Sequence, residues 1–536
     1  MNRALHLAAV ALATACSEIE RPEFGAEFYP SGAPAGEIGV EPAYEAAVAV
    51  DVSIGPGGGP PVSINPGIFG AAAEAGGLGL NADDEVKRWV SYTGLPILKW
   101  GGTGAESFDW EADFYRGLMF RAGDGRFPWP PQMGIMEFLE MCEDAGTEPV
   151  VVISAQLSDP PKAARLVSFL NSPDTTQGMG KARADLGRRR PYGVTLFQIG
   201  DDPEGRLPRN AGTRCHFGKP FLEWRPCAPD GDAAFIDGPA YAELVRQHAD
   251  LMRRTSGGEE IRIIASGFAD DIAALEKAFP GTVDFFDASY YPFTGAGADR
   301  SWGTEDDVLD SARGMGMLWD GSPAESFAAR ALAQMAPFSG TDVKLSVGEW
   351  NMDAEGRMAI MGKFPEALWA AEVMGQMAAA GTGLGAFWTI ESGDLLTPTP
   401  QAGDFGFLLY EHSTGRRVRK AVRVSLQLFA LFFFGEYVHS APSDPRLLMH
   451  AAFEPEYGAV TLIVTNRDQE KRAEISLQFA GGTPRAAFNK AWSVEEDAPG
   501  KPTGTTGPRS DRAWCAPDLS RCSLPPHSVT AILGNR

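Results

Sequence analysis

Eight short apolar runs alternate with helical patterns between residues 62 and 392. The intervening segments, such as 136–145 and 240–254, place apolar residues at a 3.6-residue spacing. This alternation is typical of an α/β fold, although hydrophobicity alone does not separate a (β/α)8 TIM barrel from a doubly wound sheet. The count of eight favours the barrel. The predicted strands are residues 67–72, 97–101, 149–155, 196–200, 261–267, 285–291, 344–350 and 383–390.

A second pattern, of alternating apolar and polar positions, follows the barrel and predicts a C-terminal β-sandwich. It occurs in residues 446–452, 459–465, 473–479 and 528–533, with Gly, Pro and Asn turns between them. Residues 46–54 alternate in the same way, so we expect an N-terminal strand to join the sandwich. The apolar run 425–438 is too short to span a bilayer and is predicted to be the last barrel helix. The predicted boundaries are 46–61 for the N-terminal strand, 62–437 for the barrel and 438–536 for the sandwich.

The start of the chain has the pattern of a targeting segment. Arg3 precedes a run of small apolar residues that is too short to cross a bilayer. Residues 13–16, Ala-Thr-Ala-Cys, resemble a bacterial lipoprotein box in which Cys16 is acylated after cleavage; an ordinary secretory signal is the alternative. Residues 1–16 are thus predicted to be a signal peptide and 17–45 a tether. We expect an exported protein, lipid-anchored on the bacterial cell envelope (in the outer membrane) or secreted.

Charge and cysteine usage narrow the class of protein further. The net charge of −23 argues against a nucleic-acid partner, which requires clustered Lys and Arg. In an oxidising compartment we expect two local disulfides, Cys215–Cys227 and Cys515–Cys522, and Cys142 is predicted to be a buried free thiol. The histidines and cysteines lack the close spacing of a metal site, and no metal or cofactor is expected.

Carboxylates follow several of the predicted strands. Asp202 follows the fourth strand and Glu349 ends the seventh, while Glu74 and Glu391 follow the first and the last. The C-terminal ends of barrel strands carry the chemistry of such enzymes. Cleavage of a glycosidic bond with retention requires two facing carboxyls, one to protonate the leaving oxygen and one to attack the anomeric carbon. The alternative for each acid is that it caps the next helix.

Four short motifs in chain order resemble the clan A glycoside hydrolases, most closely the family 51 α-L-arabinofuranosidases. The motifs are Ile68 to Glu74, Lys99-Trp100-Gly101-Gly102, Ser289-Tyr290-Tyr291 and Glu349-Trp350-Asn351. The resemblance spans about residues 46 to 536. The Gly101-Gly102-Thr103 segment is also similar to the heparanase-like enzymes of the clan.

The resemblance implies a carbohydrate substrate, no cofactor and a specific set of site residues. Glu349 would be the nucleophile and Asp202 the acid/base. Tyr291 would orient Glu349. The implied substrate contacts are Glu74, Asp201, Trp100, Tyr291, Trp350 and Trp388.

The chain departs from the family pattern at the acid/base. The family has Gly-Asn-Glu-Pro where this chain has Gly-Asp-Asp-Pro, so Asp202 reaches about one ångström less than Glu, a shift that can lower a rate on the order of a hundredfold. Asp201, when ionised, only accepts hydrogen bonds, whereas Asn also donates. Lys99 stands in place of an Arg, and Ser289 in place of a His.

Two functions are therefore predicted. The first is a retaining, arabinofuranosidase-like glycoside hydrolase that acts on plant- or microbial-type polysaccharide or oligosaccharide, with an atypical Asp as acid/base. The alternative is a lipid-anchored carbohydrate-binding protein with a decayed glycosidase site.

Overall fold

A closed barrel of eight parallel strands lies at the centre of the computed structural model. The strands, in chain order β1 to β8, are Gly70–Ala73, Ile97–Trp100, Glu148–Ile153, Leu196–Ile199, Arg262–Ser266, Phe285–Asp287, Lys344–Trp350 and Leu384–Trp388. Each lies within, or overlaps, one of the eight predicted runs, so the predicted (β/α)8 TIM barrel is confirmed.

The structure describes most of the chain. The described residues are 48–55, 61–73, 84–102, 105, 108–111, 114–115, 119–122, 125–128, 133–155, 157–203, 236–292, 327–352, 361–362, 364–393, 406–411, 415–444, 446–456, 458–468, 470–479, 487–495, 514–515 and 522–535. Residues 47–536 form one compact unit.

Apolar side chains fill the barrel and the layer around it. One buried layer takes a residue from each of six strands: Ile97, Val150, Leu196, Ile264, Phe285 and Leu384. Strand β1 consists of Gly and Ala because its neighbours lie very close. A Cβ atom on Gly70 would lie 2.2 Å from Cγ1 of Ile97. Small residues in β1 therefore allow the barrel to close.

The helices carry the capping signals of their sequences. In chain order, α1 to α9 are Asp84–Thr93, Ile135–Ala145, Pro160–Asn171, Gly178–Asp185, Gly238–Thr255, Ala269–Ala278, Phe327–Met335, Phe364–Ala379 and Ala421–Phe432, and Pro66–Phe69 and Ala336–Phe338 are 3-10 helices. Asp159 and Asp237 each accept a backbone N–H at the start of α3 and α5, where a Pro follows in the first turn. Within the described ranges, no helix is long and apolar enough to span a membrane.

The last barrel helix, α9, begins and ends earlier than the predicted 425–438. The chain leaves it for a strand at Gly435, whose φ of 95° lies in the region that favours glycine. A Cβ atom there would lie 2.4 Å from the carbonyl oxygen of Phe453. Glycine at this position therefore permits the close approach of the strand that carries Phe453.

Residues 435–535 and two N-terminal strands form one large sheet. Its ten strands are Val48–Gly55, Val62–Ile64, Gly435–Pro442, Leu447–Glu454, Ala459–Asn466, Ala473–Phe479, Ala487–Glu495, Trp514–Cys515, Cys522–Leu524 and Ser528–Asn535. A core cluster joins residues of both halves of the sheet, including Leu462, Ile532, Ile475 and Leu524. The sheet therefore closes over itself as the predicted β-sandwich.

The N-terminal strand joins that sheet, as predicted, and lies in the middle of it. Val48–Gly55 pairs antiparallel with Gly435–Pro442 and parallel with Ala473–Phe479. Three smaller sheets lie in the loops: Phe108–Asp109 with Phe114–Tyr115, Met119–Ala122 with Gly125–Pro128, and Glu391–Gly393 with Leu408–Glu411 and Arg416–Arg419.

A buried polar network joins the sandwich to barrel helix α8. Nε2 of His450, on a sandwich strand, lies 2.9 Å from Oε2 of Glu372 on α8. Tyr437 lies 3.0 Å from the other ring nitrogen, and Gln376 donates to Oε1 of Glu372 at 2.8 Å. A Cβ atom on Gly375 would lie 2.0 Å from the His450 ring, so glycine permits this contact.

The predicted cysteine pairs are described in part. Cys142 is a buried free thiol, as predicted. Cys522 is disulfide-bonded, and the strand register places it opposite Cys515; the bond between these two stays a prediction. Cys215 and Cys227 lie outside the described residues, as do the signal peptide with Cys16 and the tether.

Candidate active site

The predicted catalytic acids lie at one end of the barrel. Asp201 and Asp202 come directly after β4, and Glu349 is the residue before the end of β7. Because all eight strands are parallel, their C-terminal ends meet on the same face. Tyr291 follows β6, and Trp388 ends β8.

Glu349 is held at both its backbone and its carboxylate. The register between β7 and β8 shifts between Val347 and Trp350, an irregularity that can re-aim the side chain inside it. The Glu349 carbonyl accepts a hydrogen bond from the N–H of Tyr290 at 2.8 Å. Its Oε2 accepts one from the hydroxyl of Tyr291 at 3.2 Å. With 7% of the residue exposed, the carboxylate is enclosed but not sealed.

Tyr291 is a buried donor that contacts the predicted nucleophile Glu349. Burial raises the pKa of its phenol well above the usual value, and the charge and hydrogen bond of Glu349 raise it further. The charges of Asp202 and Asp201 add to the same effect. The phenol therefore keeps its proton at neutral pH. The charges of both acids therefore act on this one hydroxyl.

Asp202 has a backbone conformation that few side chains adopt. Its φ of 45° lies in the left-handed region, which Asp and Asn tolerate better than other residues with a Cβ. Its N–H donates to Oγ of Ser266 at 3.3 Å, and Ser289 donates a long hydrogen bond of 3.5 Å to its Oδ1. Ser289, in the family's His position, thus contacts the predicted acid.

Asp201 is bound to a lysine beneath the site. Its Oδ1 accepts hydrogen bonds from Nζ of Lys99 at 2.9 Å and from Nε2 of Gln198 at 2.8 Å. The residue is 3% exposed, so it offers little surface to a sugar. Sequence reasoning treated Lys99 and Asp201 as two separate departures from the family. In the structure the two departures contact each other.

Lys99 is buried among carboxylates from three other strands. It is 1% exposed, and its Nζ also lies 3.8 Å from Oδ2 of Asp287. Burial alone lowers the pKa of Lys99, but the charges of Asp201, Asp287 and Glu349 outweigh it and raise that pKa well above the usual value. The ammonium is therefore a permanent charge under the site.

Asp287, at the end of β6, is a site residue that the sequence motifs did not identify. Its Oδ1 accepts hydrogen bonds of 2.6 Å from Oγ of Ser346 and from the N–H of Gly348. Burial raises the pKa of Asp287, although Lys99 and these donors oppose the shift. In the sequence, Asp287 follows two Phe residues of an apolar strand, a position that is typical of a cap for the next helix. The hydrogen bond from the Gly348 N–H to Asp287 holds the backbone next to Glu349.

Two glycines allow the charged groups to converge. A Cβ atom on Gly348 would lie 2.6 Å from both carboxylate oxygens of Asp287. One on Gly102 would lie 2.7 Å from Cη2 of Trp388 and 2.8 Å from Oε1 of Glu349. The Gly101-Gly102 motif therefore leaves space for the predicted nucleophile. Trp388, which is half-buried, borders that space as expected of a site wall.

The structure buries the other two predicted tryptophan contacts. Trp100 is 1% and Trp350 is 0% exposed. Trp100 packs edge-on against Phe108 at 4.6 Å between ring centroids, and Trp350 packs against Trp369 at 5.7 Å. Neighbouring residues on a strand point to opposite faces, so Trp100 and Trp350 face away from the side of Lys99 and Glu349. Their rings belong to the core.

Glu391, the strand-end acid that follows β8, lies in a buried ion-pair network. Glu391 is buried and accepts a hydrogen bond from Nε of Arg417, whose Nη1 lies 3.1 Å from Oε2 of Glu85. Glu391 therefore takes part in an ion-pair network with two neighbouring segments. Glu74, the predicted sugar contact after β1, lies outside the described residues.

Comparison with known proteins supports the resemblance. The family model described as "Alpha-L-arabinofuranosidase 1 domain" matches residues 99–207, which include Lys99 and both aspartates after β4. No curated protein matches the chain.

Solved structures of glycoside hydrolases share the fold over most of both chains. The family 51 arabinofuranosidase from Xanthomonas axonopodis pv. citri has a TM-score of 0.66 at 15% identity, and covers 91% of this chain and 100% of its own. The α-L-arabinofuranosidase from Thermotoga maritima, in an arabinose complex, has a TM-score of 0.62 at 15% identity and the same coverage. Cel44A, a family 44 endoglucanase from Clostridium thermocellum, has a TM-score of 0.56 at 12% identity, with 91% and 100% covered. The chain thus resembles the family 51 α-L-arabinofuranosidases over residues 99–207 and shares their fold, as its motifs predicted.

Proposed function

We propose that the protein is a retaining glycoside hydrolase, arabinofuranosidase-like, that acts on plant- or microbial-type polysaccharide or oligosaccharide. One observation carries the proposal: the enclosed carboxylate of Glu349 accepts a hydrogen bond from Tyr291, a phenol on which the charge of Asp202 also acts. Two carboxyls at the same end of the barrel match the requirement of a double displacement.

In the first step, an oxygen of Glu349 attacks the anomeric carbon and forms a glycosyl ester. The bond from that carbon to the leaving oxygen breaks, and the proton of Asp202 passes to this oxygen. In the second step, the Asp202 carboxylate takes a proton from water as the water oxygen attacks the same carbon. Glu349 departs as a carboxylate, and two inversions give net retention.

The surrounding residues assist without reacting. The Tyr291 hydroxyl fixes the orientation of the Glu349 carboxylate, and the tip of Trp388 borders the space above Gly102. The reach of Asp202 limits substrates with poor leaving groups, because those need the proton in the transition state.

A screen of aryl glycosides, furanosides and pyranosides alike, tests this function. A phenolate departs without full protonation, so turnover is expected even with a short acid. Glu349→Gln is the matched inactive protein, and the product should keep the configuration of the substrate in the first NMR spectra recorded. Sugar binding without turnover would favour the alternative, a binding protein with a decayed site. An inverted first product would exclude the double displacement.

We further propose that residues 1–16 direct export and that Cys16 carries a lipid. The Ala-Thr-Ala-Cys segment supports this. Labelling with a radioactive fatty acid in a bacterial host should mark the wild type and not Cys16→Ser. Secretion of unlabelled wild type would instead indicate an ordinary signal peptide.

A further inference from the structure

The Lys99–Asp201 contact joins two barrel strands that are separated by β3, next to the proposed catalytic acids. Lys99 lies on β2 and Asp201 follows β4, and their charged atoms are 2.9 Å apart with both residues almost completely buried. Asp201 directly precedes Asp202 in the chain. The pair is therefore adjacent in sequence to Asp202, and the charge of Lys99 acts on Glu349.

Stability alone is a poor explanation for this pair. A buried ion pair is often no more stabilising than apolar residues of similar size, because both charges lose their hydration. The interior of a protein does, however, transmit charge effects more strongly than water does. Since the charge of Glu349 acts on Lys99, the ammonium in turn favours the ionised form of Glu349. The carboxylate of Asp201 opposes part of that effect.

We propose that Lys99 and Asp201 are a positioning pair whose balanced charges set the pH range in which Glu349 is ionised while Asp202 holds its proton. The inference rests on the proposed function and adds residues that act through the two acids. Substitution of either partner alone leaves an uncompensated charge under the site. Substitution of both restores the balance.

The charges that act on Lys99 come from three other strands. Asp201 follows β4, Asp287 ends β6, and Glu349 lies on β7. The phenol of Tyr291 follows β6 and keeps its proton. Among the described residues, Lys99 makes its ion pairs with Asp201 and Asp287. Substitution of Lys99 by a neutral residue therefore removes a positive charge that acts on these carboxyls.

The pH dependence of kcat/KM on an activated aryl glycoside tests the pair. In Lys99→Met the loss of a positive charge favours the protonated carboxyls, so both limbs should move to higher pH by about one unit. In Asp201→Asn the loss of a negative charge favours the ionised carboxyls, so both limbs should move to lower pH. The double variant Lys99→Met/Asp201→Asn should return both limbs to within about 0.3 unit of wild type.

Two controls separate charge balance from structural damage. Lys99→Arg keeps the charge, so its limbs should stay in place even if the rate falls. The second control is the ion pair of Arg262 and Glu148, which are 2.6 Å apart at the starts of β5 and β3, the end of the barrel opposite the acids. Arg262→Met and Glu148→Gln should leave both limbs in place.

The outcomes distinguish failure of the pair from failure of the proposed function. Shifts of the same sign in the two single variants, or no restoration in the double variant, would overturn the pairing while leaving the hydrolase intact. If the wild type has no glycosidase activity, the proposed function fails, and 13C-carboxyl NMR titration of the four proteins then takes the place of the rate profile. Opposite shifts of the Glu349 resonance that cancel in the double variant would still support the charge pair, and independent shifts would refute it.

Discussion

The hydroxyl of Tyr291 donates a 3.2 Å hydrogen bond to Oε2 of Glu349, and the backbone of the preceding Tyr290 donates to the Glu349 carbonyl at 2.8 Å. Two consecutive residues after β6 thus fix both the backbone and the carboxylate of the proposed nucleophile on β7. Loss of either contact would leave Glu349 free to turn away from the anomeric carbon.

Tyr291→Phe removes the hydroxyl and keeps the ring. A hydrogen bond to a charged group contributes about 1.5–3 kcal/mol, so we expect kcat to fall roughly tenfold to a hundredfold with little change in KM. Steady-state kinetics on an aryl glycoside measures both. Tyr192→Phe, which removes another buried phenolic hydroxyl, should leave the rate unchanged. A larger effect on KM than on kcat would argue that Tyr291 binds substrate instead.

Glu349→Ala removes the attacking carboxylate itself. Turnover should be lost even on activated aryl glycosides, because no acid assistance can replace the nucleophile. Added azide should restore part of the rate and give a glycosyl azide of inverted configuration. The control is Glu148→Gln, a carboxylate at the opposite end of the barrel, which should remain active. Residual activity above a few per cent would remove Glu349 from its role.

Asp202→Asn tests the acid. It should slow substrates with poor leaving groups far more than aryl glycosides, since an activated phenolate departs without the proton. Equal losses on the two substrate types would give Asp202 a structural role, and Glu204, two residues further along the chain, would be the next acid to test. Asn also tolerates the left-handed backbone of this position, so the variant should fold.

Asp202→Glu tests the reach of that acid. The longer side chain restores the distance found in the family, so the variant should remain active or improve. The φ of 45° opposes this gain, because a side chain longer than Asp or Asn costs roughly 1–2 kcal/mol in this region. A melting temperature a few degrees lower, together with retained activity on poor leaving groups, is the expected result. Complete inactivity in a folded protein would contradict it.

Gly102→Ala tests the space around the proposed nucleophile. The new methyl group would lie 2.7 Å from Cη2 of Trp388 and 2.8 Å from Oε1 of Glu349, and both atoms are at the ends of side chains that can shift. We therefore expect a fall in kcat on the order of a hundredfold, from displaced reacting groups, with only a small loss of stability. Unchanged kinetics would show that the site is wider than the structure indicates.

The junction of sandwich and barrel predicts a pH-dependent stability. Burial alone raises the pKa of Glu372, but His450, Gln376 and Arg467 outweigh it, so this pKa is lowered. A carboxyl with a lowered folded-state pKa stabilises the protein above its unfolded value of about 4.3, and the gain is lost as the pH falls through the folded value. Acidification below about pH 4 should therefore weaken the junction.

Glu372→Gln should lower the free energy of unfolding at pH 7 by about 1.5–3 kcal/mol and flatten its decline in acid. Urea denaturation at pH 7 and at about pH 4 measures both effects. Glu259→Gln, at an exposed position, should change the free energy by less than about 0.5 kcal/mol. An unchanged acid limb in Glu372→Gln would contradict the assignment.

Local pattern was sufficient for the barrel and for the principal acids. Near-continuous apolar runs reveal strands that are buried on both faces, and the acid that follows such a run lies on the face where the strand ends meet. Glu349 and Asp202 were therefore predicted together from the pattern, whereas Tyr291 was implied by the family resemblance. The strand Val48–Gly55 was predicted because its alternation differs from the barrel pattern.

Other parts of the site depend on contacts that no local pattern reports. The ion pair of Lys99 and Asp201 joins residues from two different strands, so only the closed barrel brings them together. Trp100 was predicted to be a sugar contact because its neighbours belong to a motif. Its strand parity, opposite to that of Lys99, was the available signal that it faces the helices.

The central place of Val48–Gly55 in the large sheet ties the two ends of the chain together. This strand is hydrogen-bonded between Gly435–Pro442 and Ala473–Phe479, so without it the sheet separates into two pieces. The last hundred residues are therefore not a cassette that recombination can transfer alone. During synthesis this strand stays unpaired until its two partner strands, Gly435–Pro442 and Ala473–Phe479, have been made. Both follow the whole barrel in the chain, so the first strand of the protein is among the last to be paired.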